Sequence, residues 1–448
     1  MASTQLLRTQ ETPTSTNKYT WSAWVKRSAL TFGQVLVYNY LDSNNRGYVM
    51  LEGADKLFFY DKYGGSEQTN VYSTRVFRDT FGWYHIHIKA DSTQASESDR
   101  FQVHINGVLE TLSGSGSGTI ISQNDTLGFA GASGCLVALG SNADSVANGF
   151  DGIMSHVHYV DGLALPYTDF GSTDATTGEW KINTSPTISD YGNSGYFMLK
   201  DDNSVNDDSG KGNNFAVTGT LTKTEDCPSN VFATFNPLYN TGATMSNGNT
   251  TAQSTNANYI AGVSTLGTKT GKFYAEFKLI AEGASGESVI GVTALVRPTS
   301  AIVAQTGNFG IRNNNGLNYY TSGGTAYTGT SQHDNFTVND IIGVALDMDN
   351  GRVYFSKNGG WWNGASTWTG TSPSSYITLQ TDIYDEFFFE CGDAAAGQNA
   401  NWSANFGNGY FGTTQISSAG TNASNFGIFE YDVPSGYTAL CTKGINSF

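Results

Sequence analysis

Paired carboxylates are the first residues in this sequence whose types and spacing suggest chemistry. In the stretch TDIYDEFFFE, Asp382 and Glu386 fall on one face of a predicted strand, and Asp385 falls on the other. Glycoside hydrolysis needs an acid and a second carboxylate on either side of the scissile bond. A catalytic strand of that kind carries carboxylates at alternate positions, and no strand of this sequence does. We therefore interpret these residues as a polar strand end and expect a protein that is not an enzyme.

Histidines form a second candidate group. His85 and His87 share one strand face, His156 and His158 share another, and His104 lies in a third strand. If those strands are neighbours, the imidazoles can converge on zinc or nickel. Ile86 and Ile88, however, form the apolar row of WYHIHIKAD, so the alternation predicts that His85 and His87 lie on the solvated face. We favour exposed or mutually stacked histidines over a metal site.

An acidic loop offers hard oxygen ligands for calcium. Its four aspartates are Asp201, Asp202, Asp207 and Asp208, in the stretch DDNSVNDDSGKGNNF. Calcium binds such carboxylates, but the EF-hand spacing fails because Thr218 stands where the last glutamate belongs. A turn in which Asp and Asn side chains bond to the backbone explains the same residues. No cofactor is expected, apart from calcium, which the sequence leaves open.

Tryptophans after a predicted hairpin form the last candidate group. Asn358, Trp361, Trp362 and Trp368 lie in the stretch KNGGWWNGASTWTG and are the candidate ligand-binding residues. Adjacent residues of a strand face opposite sides, so we expect one of Trp361 and Trp362 in the core and the other at the surface. An exposed indole suits stacking on a sugar or contact with a protein. The alternative is that both indoles belong to a core or an interface.

The elements that must position these residues are short strands. Alternation of apolar and polar residues recurs in segments bounded by Gly, Asn, Asp or Ser, without a helical pattern between them. In YTWSAWVKR, the alternation places Tyr19, Trp21, Ala23 and Val25 on one face. Asn-Gly pairs predict tight hairpin turns at Asn106-Gly107 and, as a type I′ turn, at Asn350-Gly351. The pattern indicates an all-β fold of antiparallel sandwiches.

The length of the chain and a change in its composition predict two domains and a connector. At 448 residues the chain exceeds what one sandwich core usually organises. We predict a first sandwich over residues 1–165 and a second over residues 248–448. Between them, residues 166–247 are predicted as a β-rich connector whose short strands, in GYFMLKD and FAVTGTL, lean on one or both neighbours.

The charge, the apolar stretches and the cysteines limit the classes of protein to which this chain can belong. The net charge of −16 repels phosphate backbones, so we expect no nucleic acid partner. No stretch reaches the roughly 20 apolar residues that span a bilayer, so we expect no membrane insertion; the N-terminal stretch does not resemble a secretory signal either. Cys135, Cys227, Cys391 and Cys441 lack metal-site spacing, and we interpret them as buried free thiols, with a Cys391–Cys441 disulfide left open.

Several stretches of the sequence resemble known families. WSAWVKR, STRVFRDTFGWYHIHIKAD, VHINGVLE and FDGIMSHVHYVDGLAL resemble the laminin-G/pentraxin-like branch of the concanavalin A-like sandwiches. GKFYAEFKL, IGVALDMDNGRVYFSKNGGWW and PSGYTALC resemble a SPRY domain, which is another concanavalin A-like sandwich. The resemblance implies two jelly-roll-type sandwiches. For the SPRY-like half, it implies that loops at one end of the sandwich bind partners.

The order of the two halves, with SGKGNNF and CPSNVFATFNPL between them, is similar to virion structural proteins of marine tailed phages. This resemblance implies a non-enzymatic tail-fibre or head-fibre protein at the virion surface, assembled in the host cytoplasm. The implied work is attachment to host-surface glycan, and the implied partners are other virion subunits. We also expect a homo-oligomer. The alternatives are a purely structural capsid decoration protein and a glycan hydrolase.

Overall fold

The chain forms two compact units, Met1–Thr222 and Lys223–Phe448, and each is described by itself. The computed structural model describes residues 4–114, 120–200, 205–222, 224–238, 243–254, 260–282, 288–294, 307–313, 318–322, 325–326, 334–364, 367–393 and 399–447. The predicted connector, residues 166–247, is divided between the two units. Within the described ranges, no helix has the length and apolar character that crossing a membrane requires.

In its described residues, the first unit is built from strands with two short helical turns, α1 (Glu97–Arg100) and a 3-10 turn (Tyr167–Asp169). The strands are β1 (Gln5–Thr9), β2 (Lys18–Arg27), β3 (Gln34–Asp42), β4 (Asn45–Leu51), β5 (Leu57–Tyr63), β6 (Ser66–Ser73), β7 (Tyr84–Asp91), β8 (Phe101–Ile105), β9 (Val108–Leu109), β10 (Leu112–Gly114), β11 (Leu136–Leu139), β12 (Gly152–Asp161), β13 (Gly171–Thr173), β14 (Trp180–Ile182), β15 (Tyr196–Met198) and β16 (Ala216–Thr218).

Two antiparallel sheets form the first sandwich. Among the described residues, the larger sheet has the order β10-β6-β5-β4-β3-β11-β1-β16, and the smaller has the order β15-β12-β2-β7-β8-β9. The predicted connector strands GYFMLKD and FAVTGTL are β15, which pairs with β12, and β16, which pairs with β1. The segment after residue 165 therefore completes both sheets of this sandwich.

Alternating apolar residues fill the space between these sheets. Trp21 and Val25 from β2, with Ile86 and Ile88 from β7, face Phe59 and other side chains of the larger sheet in one buried cluster. The predicted row of Tyr19, Trp21, Ala23 and Val25 is confirmed, because all four side chains are buried there. The opposite face of the smaller sheet was expected to be solvated. That prediction was wrong, because the segment after β12 folds over it.

Where the structure describes it, the second unit contains strands and one short helix, α2 (Thr442–Ile445). The strands are β17 (Thr244–Ser246), β18 (Thr251–Gln253), β19 (Ile260–Thr268), β20 (Lys272–Ala281), β21 (Ser288–Thr293), β22 (Asn308–Arg312), β23 (Asn318–Ser322), β24 (Thr325–Ala326), β25 (Ile341–Asp347), β26 (Arg352–Lys357), β27 (Gly360–Trp361), β28 (Tyr376–Thr378), β29 (Phe387–Asp393), β30 (Asn401–Asn405), β31 (Tyr410–Phe411), β32 (Thr414–Gln415) and β33 (Thr438–Ala439).

Two sheets also form the second sandwich. In the part of the chain that the structure describes, one sheet follows β17-β18-β30-β20-β25-β26-β27, with β28 on β26 and β33 on β20, and the other follows β19-β29-β21-β22-β23-β24. Only β33 runs parallel to its partner among these described pairs. Phe277, Val344, Phe389 and Trp402 are fully buried between the sheets. The all-β fold class with two sandwiches is therefore confirmed.

Among the described residues, two Asn-Gly pairs form two-residue hairpin turns. Asn106 and Gly107, with φ of 50° and 76°, join β8 to β9 through two residues, as predicted. The type I′ turn predicted at Asn350-Gly351 was wrong, because Asn350 does not have the positive φ that this turn requires. Both positive φ angles occur eight residues later instead, at Asn358 (49°) and Gly359 (83°), between β26 and β27.

Candidate functional site

The adjacent tryptophans of the second sandwich are both buried. The exposed fraction is 5% for Trp361 and 6% for Trp362, so the expectation that one indole lies at the surface was wrong. Trp361 packs against Tyr274, with ring centroids 6.2 Å apart, in a cluster outside the main core. The C-terminal segment around Phe429 and Tyr437 covers that cluster. Both indoles are covered, so neither offers a ring face to a ligand.

The other two candidate residues of this region hold the loop in place. Asn358 accepts a hydrogen bond from the backbone N–H of Ile341 (2.9 Å) and donates one to Asp340 (2.6 Å). Trp368 is half-buried and donates from Nε1 to the carbonyl of Asp334 at 2.9 Å. Trp361 and Gly370 exchange two backbone hydrogen bonds of 2.8 Å, which close the loop between them. These contacts assign Asn358 and Trp368 a structural role.

Asp207 of the acidic loop uses its carboxylate for turn formation. Asp201 and Asp202 lie outside the described residues. Asp207 accepts hydrogen bonds from the backbone of Phe197 (2.8 Å), Ser209 (2.9 Å) and Asn213 (2.9 Å), and from the Ser209 hydroxyl (2.7 Å). Asp207 therefore bonds to the backbone of a turn, which was the alternative to calcium binding. No group of three potential metal ligands occurs in the described part of the chain, and calcium binding by Asp201, Asp202, Asp207 and Asp208 stays a prediction.

The carboxylates considered for hydrolysis do not lie in a strand. Strand β29 begins at Phe387, so Asp382, Asp385 and Glu386 belong to the turn before it, and the predicted shared strand face was wrong. Asp385 is exposed and pairs with Lys269 at 2.7 Å. The Lys269 hydrogen bond keeps the pKa of Asp385 below its ordinary value, which suits an anion and not a general acid.

An aromatic surface on the first sandwich was not anticipated. We call it the tyrosine face. It lies on the outer side of strands β3 to β6 and consists of Tyr38, Tyr40, Tyr48, Met50, Phe58, Tyr60 and Tyr72. Tyr48 is directly opposite Tyr38 on one side and Tyr60 on the other, and each pair of ring centroids is 5.0 Å apart. Phe58 stacks on Tyr72 at 4.4 Å. The rings thus form a continuous surface over four strands.

Polar groups sit within the tyrosine face. The hydroxyl of Tyr60 donates to Glu67 at 3.1 Å, and Asn70 donates to the same carboxylate at 3.0 Å. The guanidinium of Arg46 lies 5.6 Å from the Tyr60 ring centroid. Burial raises the pKa of the Tyr38, Tyr48 and Tyr60 hydroxyls above the ordinary value of 10, so they are neutral hydrogen-bond donors near neutral pH.

The exposure of this surface is uneven. Tyr40, Tyr48, Met50 and Tyr72 are half-buried and present part of their surface to solvent. Tyr38, Phe58 and Tyr60 are buried among these neighbours. The sequence signal was present, because tyrosines recur at every second position in VYNY and recur again in GYVM and FFYD. Strand pairing brings these tyrosines together, and the pattern within one strand does not predict which strand it pairs with.

Comparison with known families gives one matching family model in each of the two units. The family model described as the concanavalin A-like lectin/glucanases superfamily matches residues 2–165, and the SPRY domain model matches residues 272–371. The first sandwich therefore contains a laminin-G-like, concanavalin A-like domain, and the second contains a SPRY domain. A comparison with curated protein sequences gives no match.

Solved structures give matches of low identity. The SPRY domain of human HERC1 is 17% identical, with a TM-score of 0.31, and the match covers 38% of this chain and 96% of that one. A SAP-like pentraxin from Limulus polyphemus is 13% identical, with a TM-score of 0.27, covering 37% and 78%. Domains LG4-5 of the mouse laminin alpha1 chain are 10% identical, with a TM-score of 0.30, covering 89% and 84%.

Proposed function

We propose that the chain is a non-enzymatic attachment protein that binds glycan through the tyrosine face of its first sandwich. Concanavalin A-like, laminin-G-like and SPRY domains are typically binding domains, which supports binding over catalysis. The observation that carries the proposal is that Tyr48 on β4 and Tyr72 on β6 are half-exposed on the outer side of the larger sheet. The buried rings of Tyr60 and Phe58 support them from behind. Strands β4 and β6 are two strand spacings apart, about 10 Å, which is enough for adjacent sugar rings.

The chemistry of this surface matches a carbohydrate. Aromatic rings pack against the apolar faces of sugar rings, while hydroxyl and amide groups bond to the sugar hydroxyls. Tyr48 and Tyr72 supply half-exposed ring faces, and Asn70 and Arg46 flank them with hydrogen-bond donors. The charges here are mixed, because Glu67 and Arg46 both contact Tyr60, so we propose a ligand without high charge.

We further propose that this attachment serves a phage virion, as a tail fibre or head fibre that contacts the host surface. The resemblance of the two sandwiches and their connecting stretches to phage structural proteins supports this location. Other virion subunits, and further copies of the same chain, are the proposed partners. Val108 and Leu109 support a protein contact, because they are 57% and 58% exposed in β9 at the edge of a sheet.

The glycan proposal is tested with an array of bacterial surface polysaccharides and the full chain. We expect binding that Tyr48→Ala and Tyr72→Ala each weaken about fivefold, since an aromatic contact contributes about 1 kcal/mol. Tyr63→Ala is the matched control, because Tyr63 is 41% exposed on β5 but lies outside the tyrosine face. Equal binding by all three variants, or release of sugar fragments during incubation, contradicts the proposal.

The virion proposal needs a separate measurement. Antibodies against the chain, applied to purified particles, are expected to label the tip or the shaft of a fibre. Labelling spread over the capsid, together with no glycan binding, would instead identify a structural decoration protein.

A further inference from the structure

Buried histidines cross the outer face of the smaller sheet in the first sandwich. Strand pairing places Phe197, His158, Ser22, His87 and His104 side by side on β15, β12, β2, β7 and β8. His85 lies two residues before His87 on the same face of β7 and is opposite Trp24. His85 and His87 are fully buried, and His158 is 2% exposed, against the expectation of a solvated face.

A single chain segment covers these histidines. We call residues Leu163–Tyr191 the cover; it includes the 3-10 turn, β13 and β14. Tyr167 stacks on His104 with ring centroids 4.2 Å apart, and Phe170 lies 5.5 Å from His87 and 5.2 Å from His158. Most of the cover lies beyond residue 165, where the match to the concanavalin A-like family model ends.

Hydrogen bonds attach the cover to the sheet, and two of them end on histidine rings. Thr20 on β2 bonds to the backbone of Leu163 and Leu165, at 2.8 Å each. The Tyr191 hydroxyl pairs with Nδ1 of His158 at 2.9 Å. Nε1 of Trp180 donates to Nδ1 of His85 at 3.0 Å. A Cβ at Gly107 or Gly171 would collide with the Trp180 ring, so the indole fits closely against both backbones.

The Trp180 contact requires a neutral histidine. An indole N–H is a donor only, so Nδ1 of His85 must be the acceptor. Its other nitrogen, Nε2, then carries the proton and faces the Ser22 hydroxyl at 2.8 Å. A second proton on the His85 ring would place two donors against each other. Protonation therefore breaks this attachment directly.

Nothing acidic in the cluster compensates for an added charge. Burial lowers the pKa of His85 to about 3, and it lowers the pKa of His87 and His158 well below the ordinary value of 6.5. Apart from the Leu165 backbone, which slightly favours a proton on His87, the neighbouring groups that act on these rings are other histidines and Lys89. His87 and His104 are 5.7 Å apart, so two added charges would also repel.

Of the five carboxyl groups nearby, three are paired with a lysine. The sheet contributes Lys26 on β2, Lys89 and Asp91 on β7, and His156 on β12; the cover contributes Asp169, Asp174, Glu179, Lys181 and Asp190. Asp91 pairs with Lys18, Asp174 with Lys181, and Asp190 with Lys211. Asp169 is half-buried, and burial raises its pKa.

We propose that acidification releases the cover: protonation of the buried histidines detaches Leu163–Tyr191 and bares the outer face of the smaller sheet. This device does not depend on glycan binding by the tyrosine face, which lies on the other sheet. A histidine whose pKa is lowered in the closed state gains a proton on opening once the pH is below about 6.5. As the pH falls from about 6.5 to the closed-state pKa, each such histidine raises the opening constant by up to about tenfold per pH unit.

Hydrogen–deuterium exchange of the full chain at pH 7.5, 6.5 and 5.5, corrected for intrinsic exchange, measures this opening. We expect the opening constant of cover peptides to rise at least tenfold between pH 6.5 and 5.5, while β4 and β5 keep their protection. Unchanged protection of the cover, or equal loss in β4 and β5, overturns the proposal. In the second case the whole sandwich unfolds and no separate release occurs.

A substituted histidine links the effect to a residue. His85→Asn keeps an acceptor oxygen near the Nδ1 position but takes up no proton, so the pH slope of the opening constant should fall by about one unit. Lys181→Gln, an exposed change within the cover, should leave the slope as in the wild type. Equal slopes in all three proteins overturn the assignment to His85. If His85→Asn does not fold, the wild-type comparison of the cover with β4 and β5 still decides the proposal.

Discussion

Arg27 and Asp55 form an ion pair that is closed to solvent. Nη1 of Arg27 lies 3.1 Å from Oδ1 of Asp55, and the side chains are 0% and 1% exposed. Asp55 also accepts hydrogen bonds from the Thr31 backbone at 2.9 Å and from Arg78 at 3.0 Å. Burial alone would raise the pKa of Asp55, but these hydrogen bonds and the attraction of Arg27 outweigh it and lower the pKa.

We expect Asp55→Ala to reduce the free energy of unfolding of the first sandwich by about 3–5 kcal/mol, because it leaves the Arg27 guanidinium buried without its anion. Urea unfolding of the full chain measures this. Arg78→Ala is the matched control: Arg78 contacts the same carboxylate but is 62% exposed, so its loss should cost less than about 1 kcal/mol. Similar losses in both variants would contradict the special role of burial.

We expect Trp361→Ala and Trp362→Ala to destabilise the second sandwich to a similar extent, by about 3–5 kcal/mol each, because both indoles are removed from packed surroundings. Asn363→Ala, an exposed change in the next position, should stay within about 0.5 kcal/mol. Urea denaturation of the three variants provides the comparison. A Trp variant that unfolds like Asn363→Ala would show that its indole is exposed in solution.

A buried carboxyl should make the second sandwich sensitive to pH. Burial raises the pKa of Glu276 from 4.5 to about 7, although the backbone N–H groups of Glu430 and Tyr431 donate to it. A carboxyl whose folded pKa is raised contributes stability that is complete below the unfolded value and is lost as pH rises through the folded value. We therefore expect this contribution to fall between pH 4.5 and 7, by up to about 3 kcal/mol.

The measurement is the difference in free energy of unfolding between the wild type and Glu276→Gln, because other titrating groups cancel in it. The advantage of the wild type should shrink as the pH rises over this window and then become constant. A difference that does not vary with pH would show that Glu276 is ionised throughout the window.

Calcium is tested at the acidic loop of the first sandwich. Since Asp207 already accepts four hydrogen bonds, we expect Asp207→Ala to destabilise the sandwich by about 2 kcal/mol with or without calcium. Thermal unfolding in calcium and in chelator gives both values. A large calcium-dependent rise in Tm that Asp207→Ala abolishes would show that the acidic loop binds the ion, since a ligand of the native state stabilises it by mass action.

Local alternation accounts for the parts of the fold that were predicted. Trp21, Val25, Ile86 and Ile88 were placed in a core because a strand has a strict period of two, and one face of each sheet must be apolar. The Asn106-Gly107 turn was predicted because only residues that tolerate positive φ fit a two-residue hairpin. Asn350-Gly351 has the same composition, but four residues, Met348 to Gly351, separate the paired ends of β25 and β26, so a different turn forms there.

The candidate sites depend on contacts that alternation does not contain. His85 and His87 lie on the polar face of their strand, yet they are buried because Trp180 and Phe170, far along the chain, fold over them. Trp361 and Trp362 were expected to differ in exposure because adjacent strand residues face opposite sides, yet both are buried.

The sequence by itself determined an all-β chain with two sandwich cores, because apolar periodicity and turn chemistry act between residues a few positions apart. The tertiary structure alone decided which polar faces are covered and which aromatic residues meet. Tyr38, Tyr48 and Tyr60 become one aromatic row only when β3, β4 and β5 pair in register. The histidines become a buried cluster only when Leu163–Tyr191 packs on the sheet. Both depend on contacts between residues distant in sequence, whose partners no local pattern specifies.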